Sequence, residues 1–160
     1  MAITTGYHAK TSTTREANTN TYGAGDVVGA LAAAWKFNNL GPAGGRIMIT
    51  STALRFDLSA IPSGMTSFRL HLYNVTPPSA YADEATWDLP SGDRDAYLGY
   101  VDLGSPADLG STLYVQADQV NKQLQLAAGC SDVWGYLVTN GSYAAASAGV
   151  QAIDLHSVAL

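Results

Sequence analysis

The side chains best suited to chemistry lie between positions 75 and 95, where the sequence places five carboxylates in one stretch. They are Asp83, Glu84, Asp88, Asp93 and Asp95. Paired carboxylates act as acid and base in glycoside hydrolysis, and clustered carboxylates bind calcium. A calcium loop alternates its oxygen ligands around a turn-forming glycine, and residues 93–95 supply only a fragment of that pattern. We therefore expect a solvated acidic loop that holds no metal.

The other groups with catalytic potential form no recognisable constellation. His8, His71 and His156 are far apart in the sequence and follow no metal-ligand spacing. There is no Gly-x-Ser-x-Gly nucleophile elbow, and the single cysteine, Cys130, is expected to be a small buried residue rather than a nucleophile. The sequence therefore predicts neither an enzyme nor a bound cofactor.

Length, charge and composition narrow the class of protein further. The 160 residues suit one domain, and only 13% of them are charged, against about 25% in an average globular domain. A net charge of −5, with eight scattered basic residues, argues against a nucleic-acid partner. The longest apolar run, residues 27–35, is shorter than the roughly 20 residues that span a bilayer, and no secretory signal is visible. We expect a soluble protein made in the cytoplasm, without a membrane partner.

The elements that must position these side chains are read from hydrophobic periodicity. Residues 68–73 alternate strictly between apolar and polar, which is typical of a half-buried strand. Residues 47–58 change their apolar face midway, which indicates a bulge or a bend. Further strands are predicted at residues 30–37, 97–103, 113–117, 133–139 and 150–155, with one helical turn within 118–126 and a turn at Asn140-Gly141. About eight strands with frequent turns predict an all-β, jelly-roll-like antiparallel β-sandwich over residues 21–160.

Residues 1–20 are polar and rich in Thr, Ser and Asn, and they show no helical period. They predict an extended N-terminal arm that ends in a strand around Thr11 to Arg15. Such an arm buries little of itself, so it is either mobile or ordered by a neighbour.

Several short blocks occur in a fixed order along this chain. They are Tyr22-Gly-Ala-Gly-Asp-Val-Val-Gly29, Arg69-Leu-His-Leu-Tyr-Asn-Val-Thr-Pro77, Tyr81-Ala-Asp-Glu-Ala-Thr-Trp-Asp-Leu89 and Tyr97-Leu-Gly-Tyr-Val101. Together they resemble small structural proteins of tailed bacteriophages that decorate, or cement, the head. The likeness covers roughly residues 21 to 140. Ala30 departs from it, standing where a second glycine is usual, and residues 1–20 have no counterpart in it.

The resemblance implies a jelly-roll protein of the virion that binds the outside of the capsid and stabilises contacts between subunits of the major capsid protein. A dimer or trimer would match the symmetry axes that such proteins occupy. The arm and the 75–95 loop are the expected contact elements, because both are long, bury little of themselves and carry isolated aromatic residues. The predicted contact residues are Tyr7, His8, Arg15, Tyr22, Tyr81, Trp87 and Arg94.

A second interpretation is that the protein belongs to the virion but binds a partner other than the capsid. Jelly-roll modules that bind sugars stack the rings on exposed aromatic side chains, and Tyr81 with Trp87 could form such a platform. The alternative function is therefore a carbohydrate- or host-receptor-binding module of a phage particle.

Overall fold

Antiparallel strands make up almost all of the regular structure. The computed structural model describes residues 5–29 and 31–160, and its strands there are β1 (Gly6–Thr14), β2 (Thr21–Tyr22), β3 (Trp35–Phe37), β4 (Arg46–Phe56), β5 (Phe68–Tyr73), β6 (Tyr97–Asp102), β7 (Ala107–Asp108), β8 (Leu113–Gln125), β9 (Val133–Thr139), β10 (Tyr143–Ala144) and β11 (Val150–Ala159). Since β2, β7 and β10 are two-residue pairings, eight longer strands remain, as the sequence predicts. The helical content of the described residues is one 3-10 turn at Ser91–Asp93, and none of it could cross a membrane.

Two larger sheets pack face to face, and β2 and β10 pair with each other separately. One sheet has the order β1-β11-β4-β8-β7, and the other has the order β3-β9-β5-β6. Their inner faces share a core in which side chains from both sheets are almost fully buried, among them Ile49, Leu54, Val115 and Leu155 from the first sheet and Phe37, Phe68, Leu70 and Leu137 from the second. This architecture confirms the predicted all-β, jelly-roll-like sandwich.

The change of apolar face in β4 has a local cause. Ile47 and Ile49 are buried, and so are Leu54 and Phe56, although the two pairs have opposite parity in the sequence. The pairing of β4 with β8 shifts between Ile49 and Ser51, so one extra residue resets the alternation. The predicted irregularity is therefore a bulge, and β4 stays within one sheet instead of turning a corner between two.

The N-terminal segment differs most from its prediction. Residues 6–14 are extended, but they do not form an arm: β1 pairs with β11 over nine residues as the edge strand of the five-stranded sheet. Ala9 is buried in the core, while His8 and Lys10 point to the opposite, solvent side. The segment is thus ordered by the C-terminal strand of its own chain. Met1 to Thr4 lie outside the described residues.

One other local prediction was wrong, and a second was right only in part. The helical turn expected within residues 118–126 is absent, because β8 continues to Gln125 and its pairing with β4 outweighs local propensity. The strand expected at residues 30–37 is present only as β3; residues 31–33 are bends, and residue 30 lies outside the described residues.

Candidate interaction surfaces

The two outer faces of the sandwich differ in what covers them. The loop of residues 75–96 packs on the outer face of the four-stranded sheet, where it buries Tyr73, Tyr136 and Val138. No described element covers the outer face of the five-stranded sheet. We call this second surface the open face; its residues are Gly6, His8, Lys10, Ser12, Thr14, Arg46, Met48, Ser51, Ala53, Arg55, Asp57, Ala107, Tyr114, Gln116, Asp118, Gln123, Gln125, Val150, Ala152, Asp154, His156 and Val158, none of which is buried.

The loop is attached to its sheet through aromatic contacts. The ring of Trp87 stacks on His71, with ring centroids 3.7 Å apart, and its indole N–H donates to the hydroxyl of Tyr73 at 3.2 Å. Tyr81 packs edge-on against Tyr136 at 5.3 Å. Both predicted contact aromatics of the loop are therefore half-buried against their own chain, and their role in binding a partner stays a prediction.

His71 is 4% exposed beneath this loop, and its ring contacts the hydroxyl of Tyr97 at 2.9 Å through Nδ1. Burial, together with the smaller effect of the positive charge of Arg69, lowers the pKa of His71 to about 4, against a smaller opposing effect of Asp102. His71 is thus a neutral packing residue at neutral pH, although it lies on the polar side of a strand whose alternation predicts that this side is exposed.

The five carboxylates of the loop do not converge. Asp83 and Glu84 bind Arg15, while Asp88 and Asp95 are exposed. The carboxylate of Asp93 is fully buried, and its Oδ1 accepts hydrogen bonds from the backbone N–H and the hydroxyl of Ser79, both at 3.2 Å. The five carboxylates therefore do not form a common site.

Arg15, Tyr22, Asp83 and Glu84 form a buried polar cluster, which we call the Arg15 node. Arg15 donates to Asp83 Oδ2 at 3.1 Å and to Glu84 Oε1 at 2.7 Å, and the Tyr22 hydroxyl donates to Asp83 Oδ1 at 2.7 Å. Burial and this bond to Asp83 raise the pKa of Tyr22. The node joins the turn after β1 to the start of the acidic loop.

The node also corrects two predicted contact residues. Arg15 is 3% exposed and Tyr22 is completely buried, so neither can meet a partner at the surface. Sequence reasoning missed the node because Arg15 and Asp83 are 68 positions apart, without any spacing that links them.

The other predicted contact residues lie on different sides of the molecule. His8 is exposed on the open face, whereas Tyr7, its neighbour in β1, points to the other side and is half-buried. Arg94 is exposed on the loop, on the far side of the sandwich. The structure therefore does not bring the seven predicted residues together into one surface.

On the open face, strand pairing assembles a polar cluster around Asp154. His8 Nε2 lies 2.8 Å from Asp154 Oδ1, and Arg55 pairs with the other carboxylate oxygen. The rings of His8 and His156, which are direct partners across β1 and β11, stack with centroids 4.5 Å apart. Sequence reasoning missed Asp154, His156 and Arg55 because only the register of three strands brings them together.

Cys130, expected to be buried, is half-buried, and its sulfur accepts the N–H of Asp132.

Comparisons with known proteins leave the family of this chain open. No protein-family model matches the sequence, and no curated protein matches it. Similar solved structures include the capsid of Ralstonia phage GP4 (15% identity, TM-score 0.44, covering 98% of this chain and 84% of that one) and the cyanophage Pam1 capsid (12%, 0.36, 98% and 84%). They also include the CBM22-1–GH10 modules of a Clostridium thermocellum xylanase complexed with xylohexaose (9%, 0.34, 96% and 26%). At these identities and TM-scores, none of them assigns the chain to a family or to a function.

Proposed function

We propose that this chain is a structural protein of a phage virion, which binds the outer surface of the capsid and stabilises contacts between subunits of the major capsid protein. The open face is the observation that carries the proposal. The five strands of this sheet lie about 4.8 Å apart, average about nine residues in length and rise roughly 3.3 Å per residue. Together they span an area on the order of 700 Å². A specific interface buries about 800 Å² on each partner, so this one face is almost large enough to form it.

The side chains of the open face also suit a partner that binds only after the protein has folded. Its centre carries small side chains, such as Ala53 and Ala152, and serine, glutamine and histidine side chains around them offer hydrogen bonds. Such a polar surface keeps the free protein soluble, yet it can pair with a complementary surface. The loop side is less suitable, because its aromatic residues already pack on their own sheet.

The mechanism that we propose is mechanical. Each copy lies across two or more capsid subunits through its open face, so that separating the subunits would expose the buried interface again. His8 contributes to this contact because β1 belongs to the open-face sheet. A dimer or trimer at a symmetry axis would multiply weak contacts through avidity.

The experiment places a bulky charge at the centre of the open face. Ala53→Arg is compared with Ala80→Arg, the same substitution at an exposed position of the loop on the other side of the sandwich. Each variant is mixed with purified heads that lack the protein, and the fraction that sediments with the heads is measured. We expect the wild type and Ala80→Arg to co-sediment and Ala53→Arg to stay in the supernatant. Equal sedimentation of the two variants would contradict the assignment of the open face.

A carbohydrate- or host-receptor-binding module is the second candidate. One observation favours it: Tyr100 is 44% exposed on the sheet against which Trp87 packs, with the Arg69 guanidinium 4.1 Å from its ring centre. Exposed aromatic rings of this kind can stack on sugars. Binding of the purified protein to a glycan array, together with no affinity for heads, would favour this candidate over capsid binding.

A further inference from the structure

We propose that two copies of this chain pair through the free edge of β1, which joins their five-stranded sheets into one continuous sheet. β1 is the terminal strand of its sheet, since β11 lies on one side of it and no described strand pairs with the other side. The inference goes beyond the proposed function, because pairing between two copies does not require a capsid.

The backbone hydrogen bonds of β1 show which residues face the free edge. The Arg15 N–H donates to the Gly149 carbonyl at 3.1 Å. At the other end of the pairing, the Ala159 N–H donates to the Thr5 carbonyl at 3.3 Å. Backbone bonds in an antiparallel pair alternate along each strand, so the odd-numbered residues of β1 turn their N–H and C=O groups towards β11. The residues whose backbone groups point to the free edge are therefore Gly6, His8, Lys10, Ser12 and Thr14.

This edge is open to a partner strand. All five of those residues are exposed, and none of the backbone bonds between the described elements reaches them from the free side. β1 contains no proline, and its pairing with β11 has no bulge that would twist the edge away. A straight, exposed edge of this kind is a template on which another strand can pair.

A groove beside the free edge adds an apolar contact. It has a volume of about 190 Å³ and lies between residues 11–13 of β1 and the segment that leads into β3. Leu31 lines this groove and is 56% exposed. A strand that docks on the edge would shield Leu31 from water, which favours association.

Lys10 is the one charged residue of β1, and it selects the register of the pair. A two-fold axis at Lys10 would set this residue opposite its own copy, and like charges directly opposite each other are destabilising. An axis at Ala9 would set Lys10 opposite His8. An axis at Thr11 sets Lys10 opposite Ser12 instead, so we assign the axis to Thr11. About eight backbone hydrogen bonds then join the two strands, which is within the usual range for a protein interface.

A second copy of the chain is the occupant that this geometry favours. The two-fold axis of an antiparallel pair is perpendicular to the sheet, so the even-numbered side chains of both copies lie on the same side of it. The two open faces then form one surface on the order of 1,400 Å², more than the roughly 800 Å² that each partner buries in a specific interface. One dimer thus offers a surface wide enough to lie across two capsid subunits.

The first test removes a backbone donor from the free edge. Ser12→Pro deletes an N–H that points away from β11, so the pairing of β1 with β11 is kept. Ser12→Ala is the matched control, because it changes the side chain and keeps the N–H. The dimer Kd of each variant is measured by sedimentation equilibrium, and thermal unfolding checks that the sandwich is intact. We expect the wild type and Ser12→Ala to dimerise alike and Ser12→Pro to raise the Kd at least about tenfold.

A cysteine at the proposed axis tests the register independently of proline. In a Cys130→Ser background, Thr11→Cys sets two thiols opposite each other, with Cα atoms about 4.5 Å apart and within reach of a disulfide. Thr13→Cys is the control, because Thr13 lies on the same side of β1 but two residues from the axis. We expect mild oxidation to link two copies of Thr11→Cys and to leave Thr13→Cys unlinked.

Several outcomes would overturn the inference. A wild type that stays monomeric at every concentration would do so, as would a Ser12→Pro variant that dimerises as tightly as Ser12→Ala. Linkage of Thr13→Cys in place of Thr11→Cys would overturn the assigned pairing. If the wild type is monomeric but Ser12→Pro loses its binding to heads, the edge pairs with a strand of the capsid and not with a second copy.

Failure of the proposed function is seen separately. A wild-type dimer that does not bind heads would contradict capsid binding and leave this inference standing. A wild-type monomer that binds heads, and loses this binding on Ala53→Arg, would leave the proposed function standing and remove this inference.

Discussion

Replacement of Arg15 by methionine tests whether the Arg15 node holds the start of the acidic loop in place. The Arg15 side chain is 1% exposed and that of Asp83 is 3% exposed, so the substitution leaves a buried carboxylate without its counter-charge. Breaking a buried ion pair in this way costs about 3 to 5 kcal/mol. It also removes the hydrogen bonds that Arg15 donates to the backbone carbonyls of Asn18 and Ala146.

This cost is large in comparison with the roughly 5 to 15 kcal/mol by which a domain of this kind is stabilised. The free energy of unfolding is measured by urea titration, with tryptophan fluorescence as the signal. Arg46→Met is the matched control, because Arg46 is exposed, and we expect it to change stability by less than about 0.5 kcal/mol.

A double variant separates charge from packing. Because the second substitution in Arg15→Met/Asp83→Asn removes the carboxylate that the first leaves unpaired, we expect the pair to cost at least about 1 kcal/mol less than the sum of the single variants. The reasoning would be refuted if Arg15→Met cost less than about 1 kcal/mol, or if the two substitutions were strictly additive.

Three further predictions concern the loop side and a tight turn. The pKa of His71 is about 4 in the folded chain and near 6.5 in the unfolded one, so its contribution to stability is complete above pH 6.5 and is lost as the pH falls towards 4. At pH 5 the loss is about 2 kcal/mol, and it should be missing from the pH profile of His71→Phe; identical profiles would contradict the assignment. Trp87→Ala should cost about 2 kcal/mol and speed amide exchange within residues 75–96, whereas unchanged exchange would mean that the stack does not hold the loop. Gly64 has a φ of +86°, and a Cβ there would clash with the Ser142 carbonyl, so Gly64→Ala should cost about 3 kcal/mol of stability, measured by thermal unfolding. Gly92 has open space around it, so Gly92→Ala should cost less than about 0.5 kcal/mol. Equal costs for the two variants would show that the turn at Gly64 adapts to the added side chain.

The sequence predicts the parts of the fold that depend on local pattern. Residues 68–73 alternate because one face of β5 packs in the core, and the residues of β4 change face because one extra residue is inserted at its bulge. Both signals arise from side chains within about ten residues of each other, which periodicity can detect.

Hydrophobic periodicity does not reveal the place of the edge strand β1 in the sheet, for a physical reason. Its inner side carries Tyr7, Ala9, Thr11 and Thr13, of which only Ala9 is buried, so no run of apolar side chains marks a core face. Its place in the sheet comes from hydrogen bonds to β11, about 145 positions later in the chain, and no local pattern records that pairing.

The candidate site was harder to predict than the fold. Isolated aromatic residues and an acidic loop drew attention to residues 75–95, yet Trp87 packs on its own sheet and Asp93 bonds to Ser79 within the loop. The open face is recognisable only once the register is known, because Asp154, His8 and Arg55 come from three different strands.

The thermal stability of phage heads tests the central claim most directly. Heads that lack the protein are saturated with the wild type, with Ala80→Arg or with Ala53→Arg, and the temperature at which they release their DNA is measured. If the open face cements the capsid, the wild type and Ala80→Arg raise this temperature and Ala53→Arg leaves it unchanged. A wild-type protein that binds the heads without raising the temperature, or an Ala53→Arg variant that raises it fully, would contradict the account.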